Sequence, residues 1–452
     1  MLRQLAARRP RHYPLLLDSA AAGPLSGTSL LLAAPSAALW LDRDGRLGAQ
    51  GMTPRGAGFL AALENWWRSE RSPAAGGEGD AGRFCSGWAV FLGYELAGEI
   101  EPHLVLPKAP FPWQAFALRT HGALVLDLKS SRVFAVAEEA AVLGRLVADA
   151  TEAARAMDPP ERLCIDSVRE EDPASYLWRV CRAKDYVRAG DIYQANLSRP
   201  WDVRIRPAET AGSGVDDAAP PLVAALYERL RAANPAPFAA LAQWQGVAIL
   251  SSSPERLVRV DGQRVDTRPI AGTRPRSRDP ARERGEMSEL AAHPKERAEH
   301  IMLIDLERND LGRVCVPGSV VVDELMSVES YAHVHHIVSN VRGRLRDGVT
   351  PGQAIAAVFP GGTITGCPKV RCMQIIAELE GCGRGAYTGA LGYLDASGDL
   401  DLNILIRTLT LRGDGVRLRA GAGIVADSDA LRELDETRIK ARGLLRALGV
   451  QD

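Results

Sequence analysis

The chain has 452 residues, 46% hydrophobic and 25% charged, the balance of a soluble globular protein. A formal net charge of −1 leaves no electrostatic footprint for nucleic acid or a membrane surface. No apolar run reaches a membrane span, and the run Tyr13 to Leu17 behind the basic N-terminus is too short for a signal-peptide core.

Residues 13–60 alternate short apolar runs with Gly, Pro and Ser, which predicts short strands near 13–17, 29–34 and 38–41. A helix is predicted over 58–67, a Gly/Ala/Pro loop from Ser72 to Gly82, and a buried strand and turn over 87–96. A hairpin (124–128 with 132–136) and a helix (140–155) follow. The charged, Pro-containing connector from Asp158 to Pro173 is the expected boundary between an N-terminal region, 1–160, and a second region, 170–452.

The second region opens with a helix at 173–189, a strand at 190–198, a low-complexity insertion from Ala208 to Pro221 and a helix at 222–233. Hairpins are predicted at 238–251 and 257–267, with a turn at 252–256, and then a helix over 294–306. Strands near 319–326 and 336–345 precede a helix at 351–358, a glycine-rich turn and a helix at 370–380. Strands at 387–394, 402–411 and 424–425 and a helix at 429–448 complete the chain. Strands that come mostly in hairpins, with helices interspersed, point to α+β with antiparallel sheets rather than a doubly wound parallel fold.

Seven scattered cysteines form no paired CxxC array, so neither a zinc site nor a disulfide framework is expected, and reduced thiols in the cytoplasm are. Only six of the 55 basic residues are lysines, at 108, 129, 184, 295, 369 and 440. A chain that uses arginine for generic positive charge draws attention to the lysines it keeps.

Phe359-Pro-Gly-Gly-Thr-Ile-Thr-Gly-Cys-Pro-Lys369 places glycines, threonines and a lysine before a helix N-terminus, with Pro368 read as a first-turn proline. Free backbone N–H groups and the positive helix end make such a turn an anion site, and Lys369 adds a charge. The alternative is an ordinary tight turn before a core helix. It is not a nucleotide P-loop, because Cys367 and Pro368 separate Gly366 from Lys369 and no hydroxyl residue follows the lysine.

Glu433, Glu436 and Lys440 share one face of the last helix. Paired carboxylates suit a hard cation such as Mg²⁺, the alternative being a solvated charged face. Ala420-Gly-Ala-Gly-Ile424 reads as a glycine turn suited to an anion. Glu299 falls on the apolar face carrying Met302, Leu303 and Leu306, where it needs a metal or an arginine as partner. Glu255 follows an apolar strand, where desolvation would suit it to act as an acid. Gln194 and Asn196 point to one side of a strand. His336, Tyr393 and Arg407 lie in or near strands, and a partly buried arginine wants a carboxylate. Singly each is more often structural; jointly they describe a site for a small, multiply anionic substrate with a hard metal.

Gly190-Asp-Ile-Tyr-Gln-Ala-Asn-Leu197, Ser252-Ser-Pro-Glu-Arg256, Arg268-Pro-Ile-Ala-Gly-Thr-Arg-Pro-Arg276, Ala298 to Asp310, Val334 to Ser339, Phe359 to Lys369, Leu400 to Arg407 and Ala420 to Ser428 together resemble the chorismate-utilising enzymes across most of the chain. The pattern is nearest to the aminodeoxychorismate synthase component I group, with anthranilate synthase component I the near neighbour. The resemblance implies an α/β/β/α sandwich with orthogonally packed sheets, in which residues 170–452 form the chorismate-binding region and 1–160 contribute strands. It implies Mg²⁺ held by Glu299 and Glu436 with Glu433 close by, and Glu255 as the acid that protonates the leaving 4-hydroxyl. It also implies Arg407 and Tyr393 on the enolpyruvyl carboxylate, Gly421, Gly423 and Lys440 on the ring carboxylate, and His336, Thr363 and Lys369 facing the ligand.

Gln194 stands where isochorismate synthases of the family carry a water-activating lysine, which implies ammonia as nucleophile. Thr365, Asp401-Leu-Asn-Ile404 and Ser252 to Glu255 lean toward amination at C4, giving 4-amino-4-deoxychorismate for para-aminobenzoate and folate synthesis. Ala271 departs from the lysine nucleophile of some aminodeoxychorismate synthases and is shared with anthranilate synthases and with a second group of aminodeoxychorismate synthases, so covalent lysine catalysis is unavailable there. No Gly-x-Cys-x-Gly elbow is present, so ammonia is expected from a separate glutamine amidotransferase subunit. Leu15-Leu-Leu-Asp-Ser19 resembles the tryptophan-pocket motif of anthranilate synthases, with Asp18 in place of Glu.

Overall fold

The structure, a computed structural model, describes residues 1–21, 23, 25, 27–72, 84–154, 163–206, 220–276, 279, 283, 285–289, 294–331 and 334–450. The expected loop at Ser72 to Gly82, the start of the connector at 158–161 and the insertion at Ala208 to Pro221 fall almost wholly outside them.

Two long strands organise the sheets. Thr28–Asp42 and Trp113–Asp127 pair antiparallel along nearly their whole length. Leu31 and Ala33 of the first strand pack on one helical layer, Leu39 and Leu41 on another, and Leu30, Leu32 and Ala38 into a core between them. Period-2 alternation gives each strand an inner and an outer face. The change of outer partner marks where the strand passes from one sheet to the other. The passage falls at Ala34, whose φ is +55°, and at a register shift between Pro35 and Ala37. The sequence reads as two short strands here because this bend interrupts the apolar run.

The first sheet runs through Cys164–Glu170, Gln194–Arg206, Gly415–Ile424, Thr408–Arg412, Val247–Ser253, Phe238–Trp244 and Leu15–Asp18 to the long pair. The second continues through Gly87–Leu92, Ala390–Asp395, Leu400–Ile404, Arg256–Asp261 and Arg264–Thr267 to Val334–Arg344. Ile270–Pro275 and Val321–Ser330 pair with that last strand. All of these pairings are antiparallel, and they form an open succession rather than a ring.

Helices cover both outer faces. Leu2–Arg8, Ala140–Ala153, Pro220–Ala233 and Ala430–Leu448 bury their apolar stripes on the first sheet. Phe59–Glu70, Pro294–Gly312 and Pro351–Val358 do so on the second. Tryptophans, phenylalanines and aliphatic residues fill the space between the sheets, with Phe91, Trp113 and Phe116 in mutual ring contact. The layers therefore run α/β/β/α, and the fold class is α+β as the hairpin-rich sequence implies. N-terminal strands pair directly with C-terminal ones, Leu15–Asp18 with Phe238–Trp244 and Gly87–Leu92 with Ala390–Asp395. No helix among the described residues is long and apolar enough to cross a membrane.

Three local expectations are corrected. Residues 402–411 are not one strand, because Arg407 adopts φ +51° and breaks them into Leu400–Ile404 and Thr408–Arg412. Ala420 to Ile424 is not a turn but the end of strand Gly415–Ile424, paired with Gln194–Arg206. Pro368 is the N-cap of helix Lys369–Glu380 rather than its first residue.

Candidate functional site

Both sheets hand over chain at one seam. Val247–Ser253 belongs to the first sheet and Arg256–Asp261 to the second, so Glu255 lies on the crossover. Its partner crosses alongside in the opposite direction, carrying Arg407. Backbone bonds from Ile404 N–H to the Glu255 carbonyl (3.0 Å) and from Ser252 N–H to the Arg407 carbonyl (3.1 Å) tie the two crossovers together. A cavity of about 910 Å³ opens at this seam.

Its wall includes Gln194, Glu255, Glu299, His336, Thr363, Arg407, Gly421, Gly423, Glu433, Glu436 and Lys440. Eleven of the thirteen residues to which the resemblance gives a place in the site thus meet in one space, and Asn196 lines it beside Gln194. Lys369 and Tyr393 do not line it. The Lys369 Nζ is bound to the Asp310 carboxylate and donates to the Val358 carbonyl at 3.1 Å, so its charge is spent inside the scaffold. Tyr393 packs edge-on against Phe84, with ring centroids 5.1 Å apart. The tyrosines in the cavity wall are Tyr331 and Tyr387, the second of which the sequence pattern placed at the start of a strand. The Tyr387 side chain is the one that reaches the Gly421 strand. Its hydroxyl faces Gly421, where a Cβ would lie 2.7 Å from it.

Glu255 is 4% exposed, and Thr363 Oγ donates to its Oε1 at 2.8 Å. Burial pushes its carboxyl up to about 8, and the charge of Glu307 adds to that, while the Thr363 bond and Arg407 pull the other way. Glu255 therefore keeps a proton at neutral pH. The Arg407 guanidinium makes no hydrogen bond or ion pair among the described residues; burial lowers its proton affinity and Glu255 raises it. A half-buried guanidinium held in a left-handed backbone, with no fixed partner, is poised for an anion. His336 is driven down to about 3 by burial and by Arg407, so its ring is neutral.

The opposite wall is acidic. Glu299 Oε1 accepts from Gln194 Nε2 at 2.9 Å, and Glu436 Oε1 pairs with Lys440 Nζ at 2.7 Å. Lys440 also donates to the Gly421 carbonyl at 3.0 Å. With its Nε2 committed to Glu299, Gln194 leaves a buried Oε1 that accepts no hydrogen bond among the described residues. A Cβ at Gly423 would lie 2.5 Å from Gln194 Nε2, so glycine is what lets the strand pass this pair.

No three His, Cys, Asp or Glu side chains among the described residues come together as a metal-binding set. Glu299, Glu433 and Glu436 are nonetheless all carboxylates, brought to the cavity by two helices, and such a donor set fits a hard cation. Mg²⁺ commonly takes only one or two protein carboxylates and completes its shell from the ligand and water.

Behind this wall lies a buried ionic cluster that the sequence reading did not find. Glu380 accepts from Arg384 and Arg419, both at 2.6 Å, and these two cations hold it down at about 2 despite complete burial. Arg384 also donates to the carbonyls of Asn196 (2.6 Å) and Ile364 (3.2 Å), fixing two cavity segments to each other. Asp18 lies elsewhere: its carboxylate pairs with Arg231 at 2.9 Å and accepts from Ser29 at 3.1 Å.

Comparison with known proteins decides the family. Residues 37–446 match the model of the chorismate binding enzymes. The chain belongs to that family. It is 40% identical over 367 residues to an anthranilate synthase component I-like protein of Synechocystis, covering 81% of this chain and 73% of that one. It is 39% identical over 387 residues to an aminodeoxychorismate synthase of Streptomyces griseus, covering 81% of this chain and 50% of the other. The crystal structure of anthranilate synthase component I from Streptococcus pneumoniae superposes with a TM-score of 0.78 at 29% identity, over 93% of this chain and 92% of that one. This is a chorismate-utilising enzyme by family, and its cavity is the place to look for the substrate.

Proposed function

We propose that the protein aminates chorismate at C4 with ammonia, giving 4-amino-4-deoxychorismate. The observation that carries an amination is the protonated, buried Glu255 beside the unpartnered Arg407, facing a carboxylate-rich wall in the same cavity. Chorismate carries two carboxylates and a hydroxyl that must leave. Arg407, with Tyr387 close by, would take one carboxylate through charge-assisted bonds. Lys440 and the backbone at Gly421 and Gly423 would receive the other, and Glu299, Glu433 and Glu436 are the residues that would hold Mg²⁺. When bound, Mg²⁺ neutralises ligand charge and helps the hydroxyl depart.

Glu255 is the acid. As the C4–O bond breaks, its proton goes to the departing oxygen and water leaves. The ammonia nitrogen bonds to the ring carbon and gives up one proton, which restores the Glu255 carboxyl over the cycle. Gln194 offers a buried carbonyl oxygen rather than a base, which suits N–H of ammonia as the group to be held. A separate glutamine amidotransferase subunit would supply that ammonia in the cytoplasm.

C4 amination is supported by the Asp401-Leu-Asn-Ile404 and Thr365 patterns and by the Streptomyces griseus relative. The second reading is anthranilate formation, amination at C2 with loss of pyruvate. It is favoured by the names of the Synechocystis and Streptococcus pneumoniae proteins and by Ala271. Incubation with chorismate, Mg²⁺ and ammonium separates the two. The expected product is an aminated chorismate that retains its enolpyruvyl group; anthranilate with free pyruvate would overturn C4 amination.

A further inference from the structure

Helix Pro294–Gly312 passes directly behind the glycine turn. A Cβ at Gly362 would lie 2.5 Å from Leu306 Cδ2 and 3.3 Å from Glu307 Oε1, so turn and helix are in close contact. Glu307 is 5% exposed and meets the Gly362 backbone N–H. One helical turn on, Asp310 binds Lys369, which anchors the far end of the same turn. Inside the turn, the Gly362 carbonyl accepts from Thr365 N–H (3.2 Å) and Gly366 N–H (3.1 Å), and Thr365 Oγ donates to the Gly361 carbonyl at 2.8 Å. Thr363 stands at the crest of this braced turn, and its hydroxyl is the one that meets Glu255.

We propose that Glu307 is a positioning residue of the site, holding the turn that presents Thr363 and placing a negative charge behind the wall that Glu255 shares. The activity arm of its test rests on the reading of Glu255 as the acid; the titration arm does not. Glu255 faces Arg407 and Glu307, with the neutral His336 beside Arg407. Glu307 faces Asp310 and Lys369. Burial and Asp310 push Glu307 up to about 7, against the pull of Lys369. It is therefore ionised in the alkaline range where Glu255 gives up its proton, and each charge opposes the other.

The test is a carbon-13 titration of the full chain labelled at glutamate side-chain carboxyls, with the Glu255 resonance assigned by its loss in Glu255→Gln. In Glu307→Gln the Glu255 titration should move down by roughly one pH unit. Glu307→Asp keeps the charge and should leave it near wild type. An unmoved Glu255 in the Gln variant, or an equal shift in the Asp variant, overturns the proposal. Wild-type protein gives a check that needs no variant at Glu307: the Glu255 resonance should inflect a second time where Glu307 titrates, and a single inflection would overturn the coupling. The alkaline limb of ammonia-dependent chorismate turnover should move with the titration. A shift without turnover leaves Glu307 in its role and removes the proposed reaction; turnover with no shift does the reverse.

Discussion

Glu255→Gln should abolish most activity and stabilise the protein, and the stability gain should grow with pH. A glutamate with the ordinary value of 4.5 keeps its proton about 0.3% of the time at pH 7; one held at about 8 keeps it about 90% of the time. The folded value is raised, so between 4.5 and 8 the native state binds a proton that the unfolded chain has released. Stability from this group is then fullest below 4.5 and is lost as pH rises through that window. The loss integrates to about 1 kcal/mol at pH 5, about 3 at pH 7 and about 5 at pH 9. Glutamine does not titrate and can still accept the Thr363 bond, so the variant escapes this loss. Urea unfolding at pH 5, 7 and 9 should give a stability gap over wild type that widens by about 2–4 kcal/mol across the series. Ammonia-dependent product formation should fall about 10²–10⁴-fold. A gap that stays flat with pH would mean that Glu255 is an ordinary carboxylate, and the acid role would go with it.

Glu436→Gln leaves the fold intact and should weaken the apparent Mg²⁺ affinity in turnover at least ~10-fold, read from a metal titration; unchanged Mg²⁺ dependence would remove Glu436 from the metal set. Gly423→Ala puts a methyl 2.5 Å from Gln194 Nε2 and must displace the Gln194–Glu299 pair. It should destabilise by about 1–3 kcal/mol and cut kcat/KM at least ~10-fold, and wild-type kinetics would show that the pair is dispensable. Glu380→Gln leaves Arg384 and Arg419 buried against a neutral amide and should lose about 3–5 kcal/mol in urea unfolding, with a loss under ~1 kcal/mol refuting the cluster's role.

Much of the fold could be read from alternation and turn chemistry. The helix at 351–358 is found at its predicted bounds, and the hairpins at 238–251 and 257–267 appear where apolar runs are broken by glycine turns. What escaped was set by tertiary structure. Cys164–Glu170 is a strand although it reads as charged connector, because it pairs at the sheet edge where most of its side chains stay in solvent. Gly421 and Gly423 look like a turn because glycine usually marks one; here they are in a strand and leave room for Tyr387 and Gln194. The carboxylates on the two helices could be grouped from their spacing alone. That Tyr387 rather than Tyr393 enters the cavity depends on which face of the chain meets Phe84, which no local pattern encodes.

The two lysines that stood out in an arginine-rich chain end in different places, and the difference has a physical reason. At Lys369 the partner is one buried carboxylate, Asp310, with a carbonyl as second acceptor. A compact ammonium with three rotatable donors meets such a pair better than a planar guanidinium fork. The neighbouring carboxyl, Glu307, is then left without a full cation of its own, and its excess negative charge is felt through the turn at Glu255. A second cation at that point would neutralise Glu307 and lower the proton affinity of Glu255 with it. The glycine turn thus contributes to the site through what stands behind it: one lysine for three carboxyls, an imbalance that the guanidinium of Arg407 answers only from the cavity side.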